Sequence, residues 1–290
     1  MNEKELNALF KLLADSDEYI SQSARNKLFD EFENIEAKIV DAISDSDDIV
    51  FQFKAKELIQ DYNFNRVKSS LYKWKSSDEV DLLKGIYYLT NFFYSDVDFQ
   101  TIFNYFDKLK RGITVDVSNL TPIEQVRLLN FIFYKTNNFK VNFDESRIDT
   151  HMINRAFDDK KTSAFLMTVI YYILAKKLGI PLYMVKNKNI LLLAYFKNES
   201  SSTKDFTNTP KLIFYEFFVN PSDRGFLLTH EDIKRSMSNQ ANKLNKTFTI
   251  VTATEIISIL IDKLIFASKK QKEQKIENYL SNLKETMKIS

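Results

Sequence analysis

A histidine and two adjacent hydroxyl residues are the part of this sequence whose side chains best suit catalysis. Thr162 and Ser163 stand at the predicted start of a long helix, and His151 lies a short way upstream. An imidazole that takes the proton of a hydroxyl turns it into a nucleophile for acyl transfer. A hydroxyl at a helix start, however, more often accepts a hydrogen bond from a backbone N–H as an N-cap. The sequence leaves both interpretations of Ser163 open.

Cysteine and metal chemistry have little support in the sequence. The chain contains no cysteine, which excludes thiol nucleophiles, disulfides and thiolate metal sites. Its two histidines, His151 and His230, are far apart and neither belongs to a His-Glu cluster. His230 follows Thr229 at another predicted helix start, where a surface histidine is the simpler interpretation. We therefore predict no metal and no cofactor.

The charged residues just before the long helix also have a simple interpretation. Asp158 and Asp159 could pair as acid and base, but a charged helix end explains them better. Lys160 and Lys161 could meet an anionic partner, but solvated surface lysines are the commoner case. The four glycines of the chain are dispersed, so they cannot form a phosphate-binding loop.

Composition and charge point to a folded protein with an ordinary surface. Of the 290 residues, 44% are hydrophobic and 14% aromatic, which is ample for a packed core. The 41 basic and 39 acidic residues are interleaved, so neither a nucleic-acid nor a membrane-surface partner is expected. The N-terminus lacks the pattern of a secretory signal, and no apolar stretch approaches the ~20 residues that span a bilayer. These features predict a cytoplasmic location.

The N-terminal part contains an internal repeat. Residues 13–22 are echoed by residues 43–52, an offset of 30, and each copy carries an Asp-Ser-Asp turn between two predicted helices. Asp17 or Asp47 can cap the second helix of its copy. Paired helices repeated in this way predict a HEAT-like array. From residue 63 to residue 115 the periodicity predicts three further helices, the first of which contains Val67, Leu71 and Trp74. Together these helices form a predicted domain of residues 1–118.

A second unit, residues 119–290, is predicted to be α+β. It opens at Thr121, a good N-cap, with Pro122 at the first helical position and Glu124 three residues after the cap. Helices are predicted to about residue 136, at 152–157 and at 162–178, followed by strands at 182–186, 190–197 and 211–220. A polar loop at 198–209 and helices at 229–237, 252–268 and 270–288 complete a mostly helical chain with a small antiparallel sheet.

Four segments of this second unit carry a family resemblance. They lie at residues 153–161, 169–181, 191–195 and 220–225, the last being Asn-Pro-Ser-Asp-Arg-Gly. In order and spacing they resemble the SirB-type transglutaminase-like family, and the resemblance extends over most of the chain. It implies a degraded papain-like core, in which the start of the long helix carries the site and the following strand carries the second catalytic group.

The resemblance also shows what this chain lacks. Active enzymes of this type use a Cys at the helix start, a His on the facing strand and an Asp or Asn on the next strand. SirB-type proteins generally lose the cysteine but keep a Gly-x-Pro element before the helix and usually the strand histidine. Here residues 162–164 replace Gly-x-Pro, the nucleophile position falls at Ala164 or Leu166, and Ile190 takes the histidine position. Asn220 alone matches the third group.

Three hypotheses for function follow. The leading one is a pseudoenzyme that acts as a binding or scaffold module for a protein or peptide, since Ala, Leu and Ile carry no reactive group. The alternative is an amide or peptide hydrolase, or an acyl transferase, with a site rebuilt from Ser163, His151 and Asn220. A third is a small-molecule sensor that uses the aromatic-rich interior, to which residues 87–94 contribute.

Overall fold

The computed structural model describes residues 1–187, 190–196, 215–238 and 248–288. The chain begins with four helices, α1 (Glu3–Leu13), α2 (Glu18–Asp30), α3 (Phe32–Asp45) and α4 (Ile49–Lys75). The helix pairs α1–α2 and α3–α4 follow the two copies of the sequence repeat. The Asp17 carboxylate caps α2, as predicted. In the second copy the prediction of Asp47 was wrong, because α4 begins one residue later and Asp48 accepts from the N–H groups of Val50 and Phe51.

Helix α4 is longer than the periodicity suggested. It continues without a break to Lys75 and so includes the segment that was predicted to be a separate helix. Its first half packs into a core formed by α1–α4, through Phe51, Ala55 and Leu58. Its last turns bury Val67 and Trp74 in a second, larger core. The helices α5 (Leu82–Phe93) and α6 (Phe99–Lys110) belong to that second core.

The middle of α4 is polar and is held by the last helix of the chain. Asp61 pairs with Arg25 of α2 and with Lys275, and the hydroxyl of Tyr279 donates to the same carboxylate. The ring of Tyr279 also stacks on Phe64, with 4.7 Å between ring centroids. The N-terminal helices and the end of the chain therefore meet at one charged cluster on α4.

The second half opens with the predicted capping box. Thr121 accepts from the backbone of Glu124, and the Glu124 carboxylate accepts from the Thr121 N–H, at the start of α7 (Pro122–Asn130). The chain then forms a π-helix (Phe131–Thr136), a short β1 (Lys140–Val141), a 3₁₀ turn (Ile148–His151) and α8 (Ile153–Asp159). Strand β2 (Lys161–Thr162) pairs in parallel with β1 and leads directly into α9 (Ala164–Lys177).

A five-stranded antiparallel sheet follows α9. Its strands are β3 (Leu182–Asn187), β4 (Ile190–Phe196), β5 (Tyr215–Asn220), β6 (Phe226–Leu228) and β7 (Thr249–Ile250), in the order β6-β5-β4-β3-β7. One face, with Leu193 and Val219, packs into the same core as α9. The other face, with Leu192 and Phe218, forms a third core with Ile233 of α10 (His230–Ser238). The predicted loop 198–209 and the predicted strand residues 211–214 lie outside the described residues.

Helices α11 (Ala253–Gln271) and α12 (Gln274–Lys288) end the chain, and both pack into the second core. A mostly helical α+β fold with a small antiparallel sheet is therefore confirmed. The HEAT-like character of the first helices and a domain boundary after residue 118 remain predictions. Within the described parts of the chain, no helix has the length and apolar character needed to cross a membrane.

Candidate functional site

Hydrogen bonds fix the start of α9 to the neighbouring 3₁₀ turn. The Ser163 hydroxyl accepts from the N–H of Leu166 at 3.2 Å and so caps the helix. The backbone carbonyl of Thr150 accepts from the Ser163 N–H at 2.9 Å and from the Thr162 hydroxyl at 3.0 Å. Both hydroxyl residues are fully buried. Thr162 and Ser163 therefore serve first as structural groups that fix the 3₁₀ turn against the helix.

The same turn brings His151 against Ser163. Nδ1 of His151 lies 3.1 Å from Oγ of Ser163, and Nε2 lies 3.1 Å from the carbonyl oxygen of Glu145. A carbonyl oxygen can only accept, so the proton of a neutral ring is assigned to Nε2. Nδ1 is then the acceptor, and the Ser163 hydroxyl donates to it while accepting from Leu166. We call His151 and Ser163 the sealed pair.

Burial keeps the imidazole of the sealed pair neutral. Only 1% of His151 is exposed, and desolvation lowers its pKa below the usual value, with the Glu145 carbonyl opposing that shift. Charging the ring would place a proton on Nδ1, where the Ser163 oxygen would then have to accept a second hydrogen bond. The pair has the contact of a hydroxyl nucleophile with its base, but neither side chain reaches the surface.

Asn220 does not complete a triad. It ends β5, and its side-chain oxygen accepts from the N–H of Ser222 at 3.2 Å and from the Ser222 hydroxyl at 2.7 Å. Its amide oxygen is therefore engaged in its own turn, the 3₁₀ segment Pro221–Asp223. The structure thus brings together two of the three residues of the rebuilt site, His151 and Ser163, and gives Asn220 a different role.

The positions of the missing nucleophile and base hold apolar side chains. Ala164 is half-buried at the first turn of α9, and Leu166 is fully buried in the second core. Ile190 packs against the third core, on the sheet face that points away from α9. Its neighbour Leu191 packs on the α9 side. Neither Ile190 nor Leu191, the two strand residues that could correspond to a catalytic histidine, has an ionisable side chain.

The turn after β5 is anchored to α7 and α9 by a polar network. The Tyr134 hydroxyl donates to the Pro221 carbonyl at 2.6 Å, and the amide of Asn130 donates to the Gly225 carbonyl at 3.1 Å. The hydroxyl of Tyr171 in α9 donates to Asn130 Oδ1 at 2.9 Å. Gly225 has a φ of +68°, and a Cβ there would lie 1.8 Å from Asn130 Oδ1. The glycine of the 220–225 motif is thus required by both conformation and space.

Beside this turn lies an open cavity of about 720 Å³. Its walls are the end of α7 with the π-helix, the segment around β1, and the turn after β5. We call it the basic cleft, and its defining side chains are Arg127, Phe131, Lys135, Lys140, Phe143 and Arg224. Val141 also lines it, and the β-ladder partner of Val141 is Thr162. The strand that lines the basic cleft, β1, therefore pairs directly with β2, which leads into Ser163 of the sealed pair.

The other residues singled out in the sequence are placed on the surface or at packing contacts. Asp159 pairs with Arg155 at 3.3 Å, and the Lys160 ammonium lies 5.0 Å from the centre of the Phe139 ring. Lys161 lines a cavity of about 500 Å³. The His230 ring lies 5.9 Å from that of Phe218. No cluster of three or more metal-binding side chains occurs among the residues that the structure describes.

The basic cleft was not foreseen from the sequence. Its cations come from α7, the π-helix, β1 and the turn after β5, so positions 127 and 224 are nearly a hundred residues apart. Only the Asn-Pro-Ser-Asp-Arg-Gly turn had been noted, as part of a family pattern. The net charge of +2 gave no hint, because the cluster is local.

Comparison with protein families gives one result. The model of the Transglutaminase-like superfamily matches residues 84–262, more than half of the chain, from α5 through the sheet to α11. No curated protein and no solved structure shows a significant match. The matched region contains α9, the sheet, the sealed pair and the basic cleft. This chain therefore belongs to the transglutaminase-like superfamily.

Proposed function

We propose that this chain is a SirB-type member of the superfamily that has lost acyl-transfer chemistry and binds a protein or peptide partner. The observation that carries the proposal is the apolar filling at the start of α9 and on the facing strand. Leu166 is fully buried in the core, and neither Ile190 nor Leu191 can accept a proton. Without a nucleophile and a base at these positions the family's acyl-enzyme step cannot run.

The sealed pair supports the same proposal. A nucleophile must meet the substrate carbonyl at about 3 to 3.5 Å, yet Ser163 is fully buried. Its oxygen is also occupied as the cap of α9. An acylated Ser163 would have to leave both the cap and the His151 contact. A stable polar network is the role that fits this burial.

The test is covalent labelling of the intact chain with a fluorophosphonate probe, read by intact-protein mass spectrometry. We expect no adduct at neutral pH and no hydrolysis of p-nitrophenyl esters or glutamine amides above the rate of the Ser163→Ala variant. A matched serine hydrolase treated in parallel shows that the probe is active. An adduct on Ser163 would overturn the non-catalytic proposal.

The alternative is a hydrolase or acyl transferase that uses the sealed pair. It is favoured by one observation, the 3.1 Å contact between His151 Nδ1 and Ser163 Oγ. In that case a turnover-linked opening of the 3₁₀ turn has to expose the pair. It predicts that Ser163→Ala and His151→Gln each abolish the same activity, whereas Thr162→Val preserves it. Equal residual rates in all three variants would exclude this alternative.

A further inference from the structure

We infer that the basic cleft is the peptide-binding site of this chain and that it takes an acidic segment carrying an exposed apolar side chain. This inference rests on the proposed binding function and specifies where the partner docks and what chemistry it presents. Four features of the cleft support this assignment: its charge balance, its unpaired cations, its exposed aromatic rings and its hydrogen-bonded back wall.

The charge balance separates the basic cleft from two other cavities of similar size. The basic cleft has four cations, Arg127, Lys135, Lys140 and Arg224, against the single carboxylate of Asp223. A cavity of about 800 Å³ at the far end of α9 has two lysines and two acidic residues. The cavity of about 500 Å³ near β2 has three basic and three acidic residues. Of these three cavities, the basic cleft is the one with an excess of positive charge.

The four cations are also unpaired. None of their side chains makes a hydrogen bond or ion pair within the described ranges 1–187, 190–196, 215–238 and 248–288. In contrast, the basic residues Arg147 and Arg155 of the 500 Å³ cavity pair with Asp149 and Asp159. Four like charges around one cavity repel each other, so an anionic ligand relieves that repulsion as it binds.

Two aromatic rings stand in the same cavity, largely in water. Phe131 is 60% exposed and Phe143 is 86% exposed. Phenylalanine rings are usually buried, and aromatic residues and arginine are enriched in protein–protein interfaces. They give the cleft an apolar contact next to its charges. The complementary ligand therefore combines carboxylates with an apolar side chain.

The back wall of the cleft is already rigid. Tyr134 and Asn130 hold the turn after β5 to the π-helix and α7 through their bonds to Pro221 and Gly225. The π-helix follows α7 without a break, and such wide turns occur often at functional sites. A wall that is fixed before binding lowers the entropy cost of association. The cleft thus has the fixed geometry that an extended peptide can use.

The net charge of the chain and the size of the cleft favour a peptide over a nucleic acid or a membrane as the ligand. Nucleic-acid surfaces carry a long basic stripe and a strongly positive domain, whereas the net charge of this chain is only +2. A cavity of about 720 Å³ holds a few side chains rather than a duplex or a membrane surface. A short acidic-apolar peptide segment is the ligand that matches both the size and the charge.

The experiment uses fluorescein-labelled twelve-residue peptides and fluorescence anisotropy on the full chain. One set places Asp and Glu around a central Leu or Phe, a second replaces the acids by Asn and Gln, and a third by Lys and Arg. We expect saturable binding of the acidic set only, weakened by added salt because exposed charges are screened. The double variant Lys135→Glu/Lys140→Glu should weaken it at least about tenfold.

A matched control keeps the total charge change equal. The variant Lys38→Glu/Lys84→Glu reverses two exposed helical lysines outside the cleft, and it should bind the acidic peptides like the original chain. Phe143→Ala removes an 86% exposed ring without touching the core and should weaken the Leu and Phe peptides severalfold. Circular dichroism melting of each variant checks that folding is preserved.

The outcomes separate this inference from the proposed function. If acidic peptides bind but the cleft variants and the Lys38/Lys84 variant behave alike, the cleft assignment is overturned and the binding function stands. If a single-stranded oligonucleotide binds the cleft more tightly than the peptides, with the same sensitivity to Lys135→Glu/Lys140→Glu, the peptide class is overturned. If no peptide set binds and the fluorophosphonate probe labels Ser163, the binding function itself fails.

Discussion

The basic cleft adjoins β1 and the sealed pair adjoins β2 of the same two-residue ladder, but their polar groups are in opposite environments. His151 and Ser163 are buried, and every hydrogen-bonding atom of their side chains has a partner. The cations of the cleft are exposed and have no partner among the described residues. Buried polar groups must be satisfied within the fold, whereas exposed unsatisfied ones remain free to meet a ligand. We therefore propose a structural role for His151 and Ser163 and a ligand-binding role for the cations of the cleft.

The largest expected effect comes from the turn after β5, which forms one wall of the basic cleft. Gly225→Ala adds a Cβ that would lie 1.8 Å from Asn130 Oδ1, at a φ of +68°. Relief requires Asn130 to give up its bonds to Tyr171 and Gly225, so we expect a loss of about 3 kcal/mol in the free energy of unfolding. Urea denaturation measures it.

Gly112→Ala is the matched control for that change. Gly112 has a φ of +87° but no neighbouring atom within 4 Å of the added Cβ. Gly112→Ala should therefore lower the free energy of unfolding by about 1 kcal/mol, through backbone strain alone. If both glycine variants lose the same stability, the Asn130 contact does not support the turn.

Breaking the sealed pair should have the next largest effect. Ser163→Ala removes the cap of α9 and leaves Nδ1 of His151 buried without a donor, which together should cost about 2 kcal/mol in the free energy of unfolding. Thr252→Ala removes an exposed cap at α11 and should cost about 1 kcal/mol. Thermal and urea denaturation of both variants test this. A Ser163 variant that loses no more than the Thr252 variant would show that the His151 contact contributes nothing.

The pH dependence of stability reports on the same pair. Burial lowers the pKa of His151 in the folded state below 6.5, so the unfolded state binds more protons between the folded pKa and 6.5. The contribution of neutral, buried His151 to the free energy of unfolding is therefore complete above pH 6.5. It is lost as the pH falls toward the pKa of His151 in the folded state. Between pH 7.5 and 5.5 the melting temperature should fall more for the original chain than for His151→Gln, which cannot titrate there. Parallel slopes would contradict this.

The smallest effect on folding is expected in the basic cleft. Lys135→Glu and Lys140→Glu change exposed side chains with no partner among the described residues, so each should alter the free energy of unfolding by less than about 0.5 kcal/mol. Chemical denaturation at low salt measures both. A loss above 1 kcal/mol would mean that these cations support the fold rather than a ligand.

Local signals in the sequence predicted the helix ends well. The Thr121, Pro122 and Glu124 pattern formed the capping box of α7, and α9 ends at Lys177, one residue before its predicted end. Each helix end depends on a few neighbouring residues, so the local sequence is sufficient to predict it. Asp47 was predicted in place of Asp48 because both carboxylates suit a cap, and only the start of α4 decides between them.

Long-range placement was harder to predict. The 3.1 Å contact between His151 and Ser163 requires the 3₁₀ turn to fold against β2, which no spacing in the sequence reveals. Ile190 was given the histidine position from order along the strand, yet it lies on the sheet face away from α9. A one-residue difference reverses the face of a strand residue, so sequence order alone could not settle which side chain faces α9.

The length of α4 has a consequence for how this chain can change during evolution. Helix α4 packs into the first core through Leu58 and into the second core through Val67, so one continuous helix connects the two cores. Inserting one residue between these positions would turn the far end by about 100° and shift it by about 1.5 Å. Trp74 and Leu71 would then swing out of their places, and Phe64 would leave Tyr279. Insertions and deletions should therefore collect in the connecting loops, while the span from Leu58 to Val67 keeps a constant length.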